Sequence, residues 1–237
     1  MTEDYARPGR RVPAATLTLI ALNVVIYCLV EWASRKTNYP VEQFALSREG
    51  LQHGRWWELI TYQFLHAPLA DLPLTWRTML PGHWPWHLLL NCWCIFVFGP
   101  PVEFSLGKRS FVQLYLASGV AGGLLQIGAS VLSHHFGGPV VGASAGAFGL
   151  VAAFSTLFPD ARLLVLVLLV IPVRMKANTL LTIAIAITAA GLFVNGMWPN
   201  LAINRIAHAA HLGGLIAGLV FLRWKMRSLF VPEQRSP

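Results

Sequence analysis

Four residues in this sequence have side chains whose types and spacing could do chemistry together. Ser144 lies in Gly-Ala-Ser-Ala-Gly, His211 in Ala-His-Leu-Gly-Gly, and His87 with Asn91 in His-Leu-Leu-Leu-Asn. A hydroxyl beside an imidazole is the minimal set for a nucleophile and its base. The one-turn spacing of His87 and Asn91 puts two more polar groups on a single helix face, where both can point at one target. Read one at a time, each residue also has a plain structural role. A serine in an apolar helix back-bonds to a carbonyl one turn earlier, and a histidine or asparagine there serves as a hydrogen-bonded contact between helices. Of the ten acidic residues, none falls within the apolar stretches that carry Ser144 and His211. Serine chemistry would therefore run as a dyad, without the carboxylate of a triad. The same shortage excludes a paired-carboxylate protease and a His-Glu-x-x-His zinc site. His208 and His211 are three apart and could share a face, but no third ligand accompanies them, so no metal and no cofactor are expected.

The elements that must position these residues are membrane helices. The chain is 55% hydrophobic and only 12% charged over 237 residues, which is too apolar for a soluble domain of this size. A transmembrane helix needs about 20 apolar residues, and six stretches approach that length: Ala14 to Val30, Trp86 to Phe98, Phe111 to Leu132, Val140 to Phe158, Thr179 to Val194 and Ile206 to Trp224. This predicts an all-α polytopic membrane protein of six spans, forming one domain over residues 1–237. The polar opening of Met1 to Pro13 is followed by no small-residue cleavage site, so the first stretch is expected to remain as a span. In this order Ser144, His211, His87 and Asn91 all fall near the same end of their helices. Gly142 and Gly146 flank Ser144, and Gly214 and Gly218 follow His211 on its own face. Small residues of this kind let two membrane helices approach closely enough for a serine oxygen to reach an imidazole. Cys28, Cys92 and Cys94 fall within spans at spacings that suit neither disulfides nor zinc, and they read as packing residues.

Charge supports the topology. The net charge of +8 would suggest nucleic acid in a soluble protein, but in a membrane protein basic residues orient the helices, and no nucleic-acid partner is expected. With six spans, one side receives twelve basic residues (Arg7, Arg10, Arg11, Lys108, Arg109, Arg162, Arg174, Lys176, Arg223, Lys225, Arg227 and Arg235). The other receives six (Arg35, Lys36, Arg48, Arg55, Arg77 and Arg205). Both termini, 1–13 and the tail 225–237, are thus expected in the cytoplasm, with the four polar residues toward the opposite side. The apolar run Leu163 to Ile171 would reach only about 14 Å as a helix, too short to cross, and should lie at the cytoplasmic boundary. The long loop 33–85 is polar but carries Trp56, Trp57, Phe64, Trp76 and Trp84, a density typical of chain lying on the membrane surface.

These residues resemble the rhomboid family of intramembrane serine proteases. The likeness runs from Trp56-Trp57-Glu58-Leu59-Ile60-Thr61-Tyr62-Gln63-Phe64-Leu65-His66, through His-x-x-x-Asn, Phe98-Gly99-Pro100-Pro101-Val102-Glu103 and Gly-x-Ser, to Ala-His-x-x-Gly-x-x-x-Gly in the last span. The resemblance implies a rhomboid-like bundle with a membrane-associated first loop, hydrolysing peptide bonds of transmembrane protein substrates in or beside the lipid bilayer. It implies Ser144 as nucleophile and His211 as base. The Ser144 backbone N–H, His87 and Asn91 would be oxyanion donors, and Phe148 an aromatic packed on the catalytic histidine. The chain departs from the pattern at Glu58, where the family commonly has arginine, and at Ala145, where many members have glycine. Residues Ala67 to Trp86 read as an insertion that leaves the partner of His87 open between His66 and His83. The other reading is a non-catalytic relative that binds membrane clients, although such relatives typically lack the serine or the histidine. A transporter would show midplane charges or inverted repeats, and neither is present.

Overall fold

The computed structural model describes residues 13–36, 41–66, 85–133, 136–167, 171–198 and 206–230. Arg7, Arg77, His83, Trp76, Trp84 and most of the expected insertion lie outside the described residues. The helices are α1 (Ala14–Lys36), α2 (Arg48–Gln52), α3 (Glu58–Thr61), α4 (Trp86–Leu106), α5 (Lys108–Leu132), α6 (Ser144–Leu157), α7 (Ala177–Met197) and α8 (His208–Phe230). Strands β1 (Arg162–Val167) and β2 (Ile171–Lys176) lie between α6 and α7. By length and composition α1, α4, α5 and α7 are long and apolar enough to cross a membrane.

α6 is the hub. It packs against α4, α5, α7 and α8, and ten of its residues, Ala145 to Ala147 and Gly149 to Ser155, are buried. Alanine and glycine dominate its sequence because backbones close in on it from several sides. A side chain at Gly214 of α8 would run into the Ala145 carbonyl, and one at Gly218 would lie 2.6 Å from the Gly149 carbonyl oxygen. The α8 glycines therefore set the α6–α8 approach. Gly146 does something else: a methyl there would fall 2.6 Å from the Tyr115 ring of α5, so it serves the α5 contact and not the α8 contact. Outside α6 the large apolar side chains of α1 point outward, Leu22, Val25 and Leu29 among them, as lipid-facing residues do. Cys28 is outward as well, so only Cys92 and Cys94 are partly packed.

Several boundaries differ from the sequence expectation. α4 continues past Phe98 through Pro100 and Pro101 to Leu106, a tolerance common in membrane helices, where other groups take up the freed carbonyls. One turn beyond the prolines, the Ser105 hydroxyl back-bonds to the Pro101 carbonyl at 2.9 Å, as serines in apolar helices do. The helix ends at Gly107, whose φ of +78° makes the direct turn into α5 that other residues resist. Near this end the buried Glu103 carboxylate accepts from the Ala15 N–H (3.1 Å), the Thr16 N–H (2.8 Å) and the Thr16 hydroxyl (2.9 Å). It caps the first turn of α1 from another helix, satisfying donors that have no intrahelical acceptor. α1 itself runs on to Lys36, beyond the expected start of the loop at 33, and α8 runs through the expected tail to Phe230.

The apolar run after Pro159 is a β-hairpin, so the chain is not purely α-helical. β1 pairs antiparallel with β2 from Arg162 opposite Lys176 to Val167 opposite Ile171. The β-branched Val165, Val167, Ile171 and Val173 favour this form, and a two-stranded ribbon satisfies backbone groups that a nine-residue helix would leave open at both ends.

The described part of loop one is a scaffold built around Glu58. This carboxylate is fully buried and accepts from the Ser47 N–H at 2.9 Å and Arg55 Nε at 2.6 Å. The anchoring thus runs through an acid that gathers its donors, the Ser47 hydroxyl (3.3 Å) among them, from the same loop. The loop docks on α5, because the Tyr62 hydroxyl donates to the Gly119 carbonyl at 2.6 Å. Leu46, fully buried, exchanges backbone hydrogen bonds with Val140 (2.9 and 2.8 Å).

Candidate active site

Ser144 is the first residue of α6, whereas the apolar stretch begins at Val140. The four residues between are held in extended and turning conformations by loop one: Val140 pairs with Leu46, and the Gly142 N–H donates to the Tyr62 carbonyl at 2.9 Å. Gly142 has φ of +134°, a conformation that side-chain-bearing residues resist. The helix therefore starts late, and Ala143 supplies no side-chain cap. The leading N–H groups of α6, that of Ser144 among them, have no intrahelical acceptor and carry the positive end of the helix dipole.

His211 stands one turn into α8, its N–H bonded to the Ala207 carbonyl at 3.1 Å. Its Nε2 lies 2.8 Å from Ser144 Oγ, a full hydrogen bond between residues 67 apart in the chain. The Phe148 ring, one turn after Ser144, stacks on the imidazole with centroids 4.4 Å apart and planes within 8°. Ser144, Phe148 and His211 are all half-buried, packed yet reachable.

His87 and Asn91 sit on the first turns of α4. A methyl carbon placed on Gly142 would lie 2.9 Å from His87 Nε2 and 3.6 Å from Ser144 Oγ. The imidazole and the hydroxyl thus border one small space, kept open by the absence of a side chain at Gly142. Asn91 is buried, and its amide nitrogen donates to the His87 carbonyl at 2.9 Å. It steadies the turn that carries His87, with one amide hydrogen already committed. His66, at the end of the loop-one scaffold, packs edge-on against His87 with ring centroids 5.1 Å apart. Burial, and secondarily His87, pull the His66 imidazole down to about 3, so it is neutral at physiological pH. His208 and His211 meet nearly perpendicular with ring centroids 6.3 Å apart, and His208 is wedged against Gly191 of α7.

Residues 78–228, more than half of the chain, match the rhomboid domain family. The chain belongs to the rhomboid family. It is similar to Rhomboid protein 1, mitochondrial, of Saccharomyces cerevisiae, with 34% identity over 137 residues that cover 57% of this chain and 37% of the yeast protein. It is also similar to two Bacillus subtilis proteins. One is the putative rhomboid protease YdcA, 29% identical over 161 residues (65% of this chain, 66% of that protein). The other is rhomboid protease GluP, 26% identical over 208 residues (87% and 34%). The chain spans between about a third and two thirds of the length of these relatives. Family and helices together make this rhomboid a multi-pass integral membrane protein.

Sequence reasoning missed two contributors to the site. Tyr62 holds Gly142 through a backbone bond between residues 80 apart, which no local pattern announces. Glu58 stands out in the sequence only as a departure from the family pattern, and its burial as the anchor of loop one was signalled at most by an acid inside an aromatic cluster.

Proposed function

We propose that this rhomboid is an intramembrane serine endopeptidase that cleaves transmembrane protein substrates through the dyad of Ser144 and His211. The observation that carries the reading is the 2.8 Å contact between Ser144 Oγ and His211 Nε2, made beneath a stacked phenylalanine and at the uncapped start of a helix. In the reaction His211 Nε2, unprotonated, takes the hydroxyl proton as Ser144 Oγ attacks the scissile carbonyl carbon. The tetrahedral oxyanion develops in the space above Gly142. There the Ser144 N–H and His87 Nε2–H donate to it, and Asn91 assists through its second amide hydrogen. His211 then returns the proton to the leaving amine, and water repeats the sequence on the acyl-enzyme to free the acid. Donors fixed at a developing oxyanion contribute roughly 3 to 4 kcal/mol each, which lets a dyad work without a carboxylate. Phe148 takes over the orienting role, because a ring held parallel against the imidazole leaves Nε2 aimed at the serine.

The membrane setting follows from the same elements. α6 is 14 residues long, about 21 Å against a hydrocarbon thickness of about 30 Å, so Ser144 at its start lies below the surface in a recess that water can enter. In this reading α1 and α4 to α8 are the six spans and both termini are cytoplasmic. The recess opens on the opposite side, where Trp56 and Trp57, both at least half exposed on loop one, meet the interface.

Cleavage of a model transmembrane substrate by detergent-purified protein tests the reading, with a fluorophosphonate probe alongside. Wild type should cleave and take the label. Ser144→Ala should do neither while keeping its melting temperature, and His211→Ala should lose cleavage. A Ser144→Ala protein that still cleaves would remove the nucleophile, and a wild type that neither cleaves nor labels would favour a client-binding rhomboid.

A further inference from the structure

The ribbon between α6 and α7 has no part in the proposed chemistry, yet it is built with two distinct faces. Side chains alternate along a strand, so Arg162, Leu164, Pro172, Arg174 and Lys176 share one face, with Leu164 directly opposite Arg174. All five are exposed. The other face, Leu163, Val165, Val173 and Met175, is half-buried, and Leu163 packs on the main core. The base of the ribbon is fixed to α7, because the Ala177 N–H donates to the Ala161 carbonyl (2.9 Å) and the Asn178 N–H to the Pro159 carbonyl (3.1 Å). The direction of the exposed face is therefore set by the bundle.

Two features of that face point to one kind of partner. It is cationic, and it stands at the end of α6 remote from Ser144, where Lys108 and Arg109 open α5 and Arg223 and Arg227 close α8. Among the described residues, the acids at this end are Glu103, which is buried, and Asp160, which pairs with Lys176 at 2.8 Å. It is also apolar: Leu164 is 62% exposed, and Pro172, on the same face, is exposed as well. A free phosphate or a soluble acidic partner would use the guanidiniums and leave these side chains in water. A membrane surface uses both, since leucine reaches toward the acyl chains while arginine keeps its charged end among phosphates.

We infer that the exposed face of the hairpin seats anionic lipid headgroups, with Arg162 and Arg174 as the principal contacts and Leu164 inserted beside them. Lys176 contributes less, being shared with Asp160. The inference rests on the membrane reading of the helices and is independent of the dyad.

The test is lipid retention by the whole chain in neutral detergent, read by native mass spectrometry with equal phosphatidylglycerol and phosphatidylcholine. Wild type and Ser144→Ala should both retain phosphatidylglycerol preferentially, so a failure of the protease reading leaves this result untouched. A basic residue at an anionic surface contributes about a fivefold factor, so Arg162→Gln with Arg174→Gln should cut the preference roughly tenfold or more, and Arg48→Gln in loop one should leave it unchanged. If the double variant does not fold, Arg174→Gln alone should still lower the preference about fivefold. Undiminished preference in these hairpin variants would overturn the inference. So would displacement of the lipid by inorganic phosphate, or a wild type without preference, which would leave the face to an acidic protein.

Discussion

Gly142→Ala separates the site from its scaffold. At φ of +134° any side chain meets backbone strain of about 1 to 3 kcal/mol, and the new methyl would lie 2.9 Å from His87 Nε2 and 3.6 Å from Ser144 Oγ. It would stand where the oxyanion is to form and push the His87 donor aside. Loss of one oxyanion donor costs roughly 10²- to 10³-fold in turnover, so kcat should fall at least about a hundredfold. Gly138→Ala is the control. Its φ of +112° brings comparable strain, but a methyl there has nothing within 4 Å. Both variants should lose stability in detergent by about 1 to 3 kcal/mol, and only Gly142→Ala should lose the catalytic factor as well. The assay is steady-state cleavage of a model transmembrane substrate, with thermal unfolding on the same preparations. A Gly142→Ala enzyme no slower than Gly138→Ala would refute the placement of the oxyanion above Gly142.

Three further outcomes follow from the contacts. Phe148→Ala removes a stacked ring contributing about 0.5 to 1.5 kcal/mol and frees the imidazole to turn, so kcat should drop about tenfold with KM little changed, and Phe148→Tyr should restore it; a KM effect alone would argue against an orienting role. Glu103→Ala strands the Ala15 N–H, the Thr16 N–H and the Thr16 hydroxyl, and with about 1 to 3 kcal/mol for a buried group left unsatisfied, unfolding in detergent should show a loss of about 3 kcal/mol; an unchanged midpoint would mean that α1 caps itself. The Lys176 ammonium, by hydrogen bond and then by charge, holds the Asp160 carboxyl below the usual carboxylate range. Its folded pKa is thus the lower one, so the stabilisation is complete above the ordinary carboxylate value and is lost as pH falls through the depressed one. An NMR titration should place the Asp160 midpoint low in wild type and return it to the ordinary value in Lys176→Gln.

Much of the fold was legible because membrane helices announce themselves in composition, and the site because polar groups in such helices are few. Depth and spacing suggested Ser144, His211 and the α8 glycines as neighbours, and the family resemblance suggested their roles. The start of α6 was not legible, because Val140 is as apolar as the helix that follows and leaves it only by pairing with Leu46. The hairpin was hidden for a related reason: a short apolar run has no period that separates strand from helix, and its pairing partner, Ile171–Lys176, includes Pro172 and two basic residues. That His66 packs on His87 needed the placement of one ring against another, while His83 lies outside the described residues.

The sequence by itself determined the solvent this chain folds in, the order of its helices, and which polar groups enter them, since hydrophobic length and side-chain type are local properties. Only the tertiary structure decided that a hydroxyl and an imidazole 67 residues apart share a proton's distance, that Gly142 leaves a space between His87 and Ser144, and that Glu58 and Glu103 are buried anchors. Those facts arise where separate segments meet, and the energy of such meetings is written in no single stretch of chain.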